Sequence, residues 1–101
     1  MAKGYWIALI EVKDMDGYKN NYVADLPGAL RKFGARYLTR GGKTEIMEGT
    51  VKSRVVVIEF PSYEQAAACY RSPEYAALKE RRMAVADGDL IVTEGYDGPQ
   101  P

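Results

Sequence analysis

A chain of 101 residues, 47% hydrophobic and 28% charged, has the size and composition of one ordinary globular domain, neither disordered nor fibrous. Fourteen Lys and Arg offset fourteen Asp and Glu, so no net field draws it to nucleic acid or an anionic membrane, and its apolar runs fall far short of a membrane span. With no histidine and a single cysteine, Cys69, internal disulfides, Ser-His and Cys-His nucleophile pairs, histidine-ligated haem and most zinc sites are excluded.

Residues 5–12, YWIALIEV, read as a near-continuously apolar strand. Asp14 and Asp16-Gly17 supply turn and N-cap chemistry for a helix over residues 18–33. Its apolar stripe is Tyr18, Tyr22, Leu26, Leu30 and Phe33, at spacings of four, four, four and three. Pro27 predicts a kink or restart near Leu26, and Gly34 is a left-handed C-cap. Residues 35–40 form a short strand ending at Gly41-Gly42, residues 44–48 extend or bulge it, and residues 49–53 turn. RVVVIEF, residues 54–60, is the most β-prone run in the chain.

Pro61 ends that strand, and Ser62-Tyr63-Glu64-Gln65 is a capping box opening a helix that runs through Ala66, Ala67 and Ala68 to Tyr70. Ser72-Pro73 reads as a fresh helix start. Tyr75 and Leu78 continue it, with Lys79, Glu80, Arg81 and Arg82 read as a solvated face. Asp87-Gly88-Asp89 reads as a turn before a last strand over residues 90–96. Residues 98–101 are expected to fray, leaving a single domain over residues 1–97. The N-terminus enters its first strand with no signal-peptide pattern, and with a lone cysteine the expected location is cytoplasmic.

The order strand, helix, strand, strand, helix, strand predicts a ferredoxin-like βαββαβ α+β fold. Its four-stranded antiparallel sheet carries both helices on one face. The other face stays bare, yet alternation leaves it apolar whichever set turns outward: Tyr5, Ile7 and Leu9 or Trp6, Ala8 and Ile10 on the first strand alone. A second copy of the same sheet is the expected cover, giving a homodimeric α+β barrel. RNA-recognition domains share this topology, but Val55 and Val57 stand where their stacking aromatics belong, so no nucleic-acid partner is expected.

Five segments taken together, Lys3-Gly4-Tyr5-Trp6-Ile7-Ala8, Arg40-Gly41-Gly42, Val57-Ile58-Glu59-Phe60-Pro61-Ser62, Cys69-Tyr70-Arg71-Ser72-Pro73-Glu74-Tyr75 and Glu94-Gly95-Tyr96, resemble the bacterial family catalogued as domain of unknown function 1330. The resemblance spans essentially the whole chain. It implies the dimeric α+β barrel superfamily, whose members include cofactor-independent monooxygenases, muconolactone-isomerase-like enzymes and haem-dependent chlorite dismutases. The haem branch's proximal histidine has no counterpart here, so no cofactor is expected.

Two groups of side chains carry possible chemistry. Taking the first and third strands as parallel neighbours brings Glu11 and Glu59 together, and close carboxylates raise one pKa, as a general acid or base needs; alternatively both are solvated strand ends. Arg40, Arg54 and Glu94 are expected at the opposite end of the sheet, where with Tyr37 and helix-borne Tyr70 or Tyr75 they would hold a small acidic or phenolic ligand. The competing reading is an Arg-Glu pair fixing the hairpin or the dimer contact. Cys69 reads as a buried filler thiol and Trp6 as core, and the scattered Asp and Glu have no metal-ligand spacing. Two functions follow: a small-molecule binder, if catalytic a cofactor-free isomerase- or monooxygenase-like enzyme, or a non-catalytic homodimeric module with a filled barrel.

Overall fold

Strand β1 (Gly4–Val12) is the spine of the computed structural model, which describes residues 2–101. It pairs antiparallel with β3 (Arg54–Phe60) on one side and β4 (Ala86–Glu94) on the other, while β2 (Arg36–Arg40) pairs antiparallel with β3. The strand order is therefore β2-β3-β1-β4, the ferredoxin-like arrangement expected from the sequence. Trp6, Ala8 and Ile10 on β1 and Val56, Ile58 and Phe60 on β3 are buried beneath the helices, and the alternate residues make the outer face.

The first helical region is broken, as Pro27 requires. Helix α1 (Met15–Tyr18) is capped by the Asp14 carboxylate, which accepts from the Gly17 amide. It passes into a wide π-type turn over Lys19–Val23, closed by the Ala24 amide donating to the Lys19 carbonyl at 3.0 Å. Helix α2 (Leu26–Lys32) restarts with proline in its first turn, where a missing N–H costs nothing. No local residue pattern marks the π turn, whose effect is to bury Tyr18 and Tyr22 together.

Helices α3 (Tyr63–Tyr70) and α4 (Pro73–Val85) start at the serines expected: Ser62 accepts from the Gln65 amide and Ser72 from the Tyr75 amide. Trp6, one of the most buried side chains, donates from Nε1 to the Ala66 carbonyl at 2.8 Å and packs against Phe60, Tyr70 and Tyr75. Truncating such a residue typically costs about 3–5 kcal/mol. Gly4 is required where β1 passes α3, because a Cβ there would overlap the Ser62 carbonyl and the Tyr63 Cα.

Three expectations are corrected. Residues 44–48 form no strand. Asp87-Gly88-Asp89 is not a turn but part of β4, which starts at Ala86 directly after α4. Ion pairs hold it in the sheet, Lys13–Asp87 at 2.8 Å and Lys52–Asp89 at 2.9 Å, while Gly88 lets the backbone pass close to Leu9 and Ile10. Lastly, β1 and β3 are antiparallel rather than parallel, so the two glutamates lie apart. Glu59 stands opposite Tyr5, and Glu11 is six residues further along β1, about 20 Å away.

Candidate functional site

Between sheet and helices the tyrosines gather around one arginine. Ser72 sets the start of α4 and so places Tyr75 in its first turn, fully buried. The Tyr75 hydroxyl meets that of Tyr22, presented by the π turn, in a 2.8 Å hydrogen bond. Rings continue on both sides: Tyr18 lies 5.4 Å from Tyr22, and Tyr70 lies 5.4 Å from Tyr75. Seven residues beyond Tyr75 on α4, Arg82 turns to the same side and is 4% exposed.

That burial is costly. The ion pairs among the described residues are Lys13–Asp87, Lys32–Glu74, Arg36–Glu59, Lys52–Asp89 and Arg81–Asp25, and none includes Arg82. Its Nε is buried without a hydrogen-bond partner. An ion removed from water without a counter-charge loses several kcal/mol. Burial pushes the Tyr22 phenol well above its ordinary ionisation range, and the neighbouring Tyr75 adds to that. Burial also raises Tyr75, opposed by the Tyr22 hydrogen bond and the Arg82 charge. At neutral pH both are hydroxyls beside a cation, an arrangement able to receive an anion or share a proton with one.

Arg82 lines two spaces. Inside, with Trp6, Tyr18 and Tyr22, it borders a hollow of only about 20 Å³. Outside, with Tyr70, Met83, Leu90 and Ile91 and with Asp87 and Asp89 at its rim, it borders an open cleft of about 610 Å³ beside β4. Leu90 lines both, so Arg82 and Leu90 form the partition between them.

The predicted site residues separate into three groups. Tyr70 and Tyr75 belong to the cluster just described. Tyr37, Arg40 and Arg54 come together elsewhere, with Arg40 over the Tyr37 ring at 4.9 Å and Arg54 over the Tyr18 ring at 5.2 Å. Glu94 does not join them: it stands opposite Gly4, whereas Arg54 stands opposite Ile10 at the far end of β1. Glu59 lies on the outer face, taking a 3.3 Å contact from Arg36 Nε and a 3.4 Å hydrogen bond from the Tyr5 hydroxyl, and Glu11 is exposed. The paired-carboxylate expectation therefore fails, because it rested on the wrong relative direction of β1 and β3.

Sequence reasoning missed Arg82 by reading Lys79 to Arg82 as one solvated face. Arg81 does point outward, to Asp25 at 2.7 Å, and Lys79 covers the Tyr70 ring. The signal for Arg82 was its phase: Tyr75, Leu78 and Arg82, at spacings of three and four, are the buried stripe of α4. Cys69 is buried as expected, and burial pushes its thiol up to about 12, which leaves it inert. Among the described residues no cluster of Cys, Asp and Glu is arranged to hold a metal ion, and no helix is long and apolar enough to cross a membrane.

Solved structures share this architecture. A protein of unknown function from Rhodopseudomonas palustris superposes with a TM-score of 0.75 at 17% identity, over 96% of this chain and 85% of that one. A Bacillus halodurans protein of the ethyl tert-butyl ether d (EthD) family gives 0.60 at 16%, over 95% and 100%. A candidate antibiotic biosynthesis monooxygenase from Nitrosomonas europaea gives 0.55 at 15%, over 97% and 98%. At these identities the likeness is one of fold: a four-stranded antiparallel sheet with helices on one face. No curated protein matches the sequence. The family profile described as a domain of unknown function, DUF1330, matches residues 3–96, and the chain belongs to that family.

Proposed function

We propose that the protein binds a small organic acid or phenol between sheet and helices, with Arg82 holding its anionic group. The observation that carries this is the buried Arg82, in no ion pair among the described residues and placed where the outer cleft meets the inner hollow. The hollow is far below the ~300 Å³ a whole ligand needs. The ligand's body therefore lies in the cleft, against Tyr70, Met83, Leu90 and Ile91, and only its charged end reaches Arg82. If the protein is an enzyme, its chemistry is cofactor-free and isomerase- or monooxygenase-like. Proton transfer then falls to the Tyr22–Tyr75 pair, because Glu59 is on the opposite face of the sheet.

A second copy of the chain covers the outer face in this reading. Ile7 lies beside Val57 and Ile91, and Leu9 beside Val55, an apolar stretch of the kind that a two-fold partner buries. A cytoplasmic setting goes with it, since the lone cysteine is buried and reduced. The very small hollow favours a second reading, a non-catalytic homodimeric module whose interior is filled by its own side chains.

One titration separates them. Trp6, the only tryptophan, packs edge-on at 5.9 Å against Tyr70, which lines the cleft, so its fluorescence reports occupancy. Benzoate and 4-hydroxybenzoate should quench or shift it saturably, and Arg82→Gln should weaken both by about tenfold or more. Saturation unchanged in Arg82→Gln, or no response from the wild-type chain, rejects the binding reading, and the latter result supports the filled module. Sedimentation showing only an 11.2 kDa species would reject the homodimer.

A further inference from the structure

Beyond Tyr18, β2 and β3 bring two more cations, Arg40 and Arg54, to one end of the sheet. Arg40 stands opposite Val56 and Arg54 opposite Ile10, so both occupy positions on the helix-covered side of the sheet. Neither enters any ion pair among the described residues. The Arg54 guanidinium lies between the Tyr18 ring and Gly41, so close to the glycine that a Cβ there would collide with it. Gly41 is fixed at φ +68°, and its amide donates to the Val55 carbonyl at 3.0 Å.

Two polar atoms here are buried without partners, Arg54 Nε and the Tyr37 hydroxyl. Native proteins seldom leave such donors unpaired, because each costs about 1–3 kcal/mol. The Tyr37 phenol also senses both guanidiniums: burial raises its pKa, while Arg40 and Arg54 pull it down. Two forked cations and a hydroxyl donor offer a charge of two and several donors, the complement of a dianionic tetrahedral group. Arg54 opens on a cleft of about 340 Å³ bordered by Glu11, Met15, Gly41 and Ser53, and Arg40 on a neighbouring one of about 490 Å³ bordered by Gly42, Lys43 and Val55.

We propose that Arg40, Arg54 and the Tyr37 hydroxyl form a second anion site, distinct from Arg82, that takes a phosphoryl group. Glu11 borders the Arg54 cleft and is its acidic element, limiting the affinity. The group comes either from inorganic phosphate or from a small organic phosphate, and the chemistry that holds it is the same.

The test is an amide NMR titration of the full chain with inorganic phosphate, and in parallel with phenyl phosphate, at constant ionic strength. The expected result is saturable shifts at the Gly41 and Val55 amides. Arg54→Gln should weaken binding about tenfold or more, and Arg54→Lys should recover only part of it, since a point charge lacks the fork. Tyr37→Phe should weaken it about threefold to tenfold while leaving the phosphate-free melting temperature unchanged or higher, because it deletes an unpaired buried hydroxyl. Glu11→Gln should tighten it about twofold to threefold. Arg82→Gln should leave phosphate binding intact, which separates failure of this site from failure of the organic-acid reading. Tighter binding of phenyl phosphate supports the site with an organic phosphate as its ligand, and equal binding supports it with inorganic phosphate. Shifts that stay linear to about 50 mM, well beyond a millimolar site, or that persist undiminished in both Arg54 variants, overturn the proposal.

Discussion

Replacing Arg82 with methionine removes a buried charge while keeping an unbranched apolar stem in nearly the same volume. Arg82 is 4% exposed, enters no ion pair among the described residues and leaves its Nε unpaired. The penalty for such an ion is several kcal/mol after relaxation, partly offset by the nearby Tyr75 hydroxyl, so Arg82→Met should stabilise the ligand-free protein by about 1–3 kcal/mol. For a domain of this length each kcal/mol moves the melting temperature by roughly 5 °C, giving a rise of about 5–15 °C. Circular dichroism melts in buffer free of organic acids measure it. In the wild type, benzoate at 100 times its Kd should add about 2.7 kcal/mol of stability, and the variant should gain nothing. A variant that melts lower than wild type while still gaining stability from benzoate would show that Arg82 is a structural post, and the reasoning from uncompensated charge would be wrong.

Tyr22→Phe and Tyr75→Phe should each cost about 1–3 kcal/mol in urea unfolding, because each strands the other's buried hydroxyl. The double variant should cost less than the two together, and strict additivity would mean that the bond contributes nothing. Gly4→Ala should cost about 3 kcal/mol or more, since the atoms its Cβ would meet are backbone atoms of Ser62 and Tyr63 that cannot step aside; a chevron or urea midpoint near wild type would contradict the packing of β1 under α3. Burial raises the Tyr22 and Tyr75 pKa values above 10.0, so the unfolded chain releases these protons first as pH climbs. Stability should therefore be complete below about pH 10 and drain away above it as pH rises toward the folded-state values. Tyrosinate absorbance from this pair should appear together with the loss of secondary structure, not before it.

The sheet order and the helix starts were legible because each rests on a local rule with little competition: a β-branched run at Arg54–Phe60, and serine caps at Ser62 and Ser72. The break at Leu26 was legible because proline removes a donor wherever it sits. What failed depended on relations between distant segments. Asp87-Gly88-Asp89 has turn composition, yet partners on Lys13 and Lys52 and a tight crossing over Ile10 make it strand, and nothing local records those partners. Glu11 and Glu59 were paired by assuming a strand direction, and reversing that direction puts them at opposite ends. Arg82 was hidden by its neighbours, since a run of four charged residues on a helix reads as surface unless the helical phase is tracked from Tyr75.

Helix α4 ends at Val85 and β4 begins at Ala86, with no residue between them to absorb motion. Arg82 is on the last turn before that junction, and its carbonyl accepts from the Ala86 amide. A shift of the sheet's outermost strand, such as docking of another strand along that edge would cause, must therefore turn the end of α4 with it. The guanidinium rides on that turn, so the border of the sheet and this buried charge behave as a lever with a short arm.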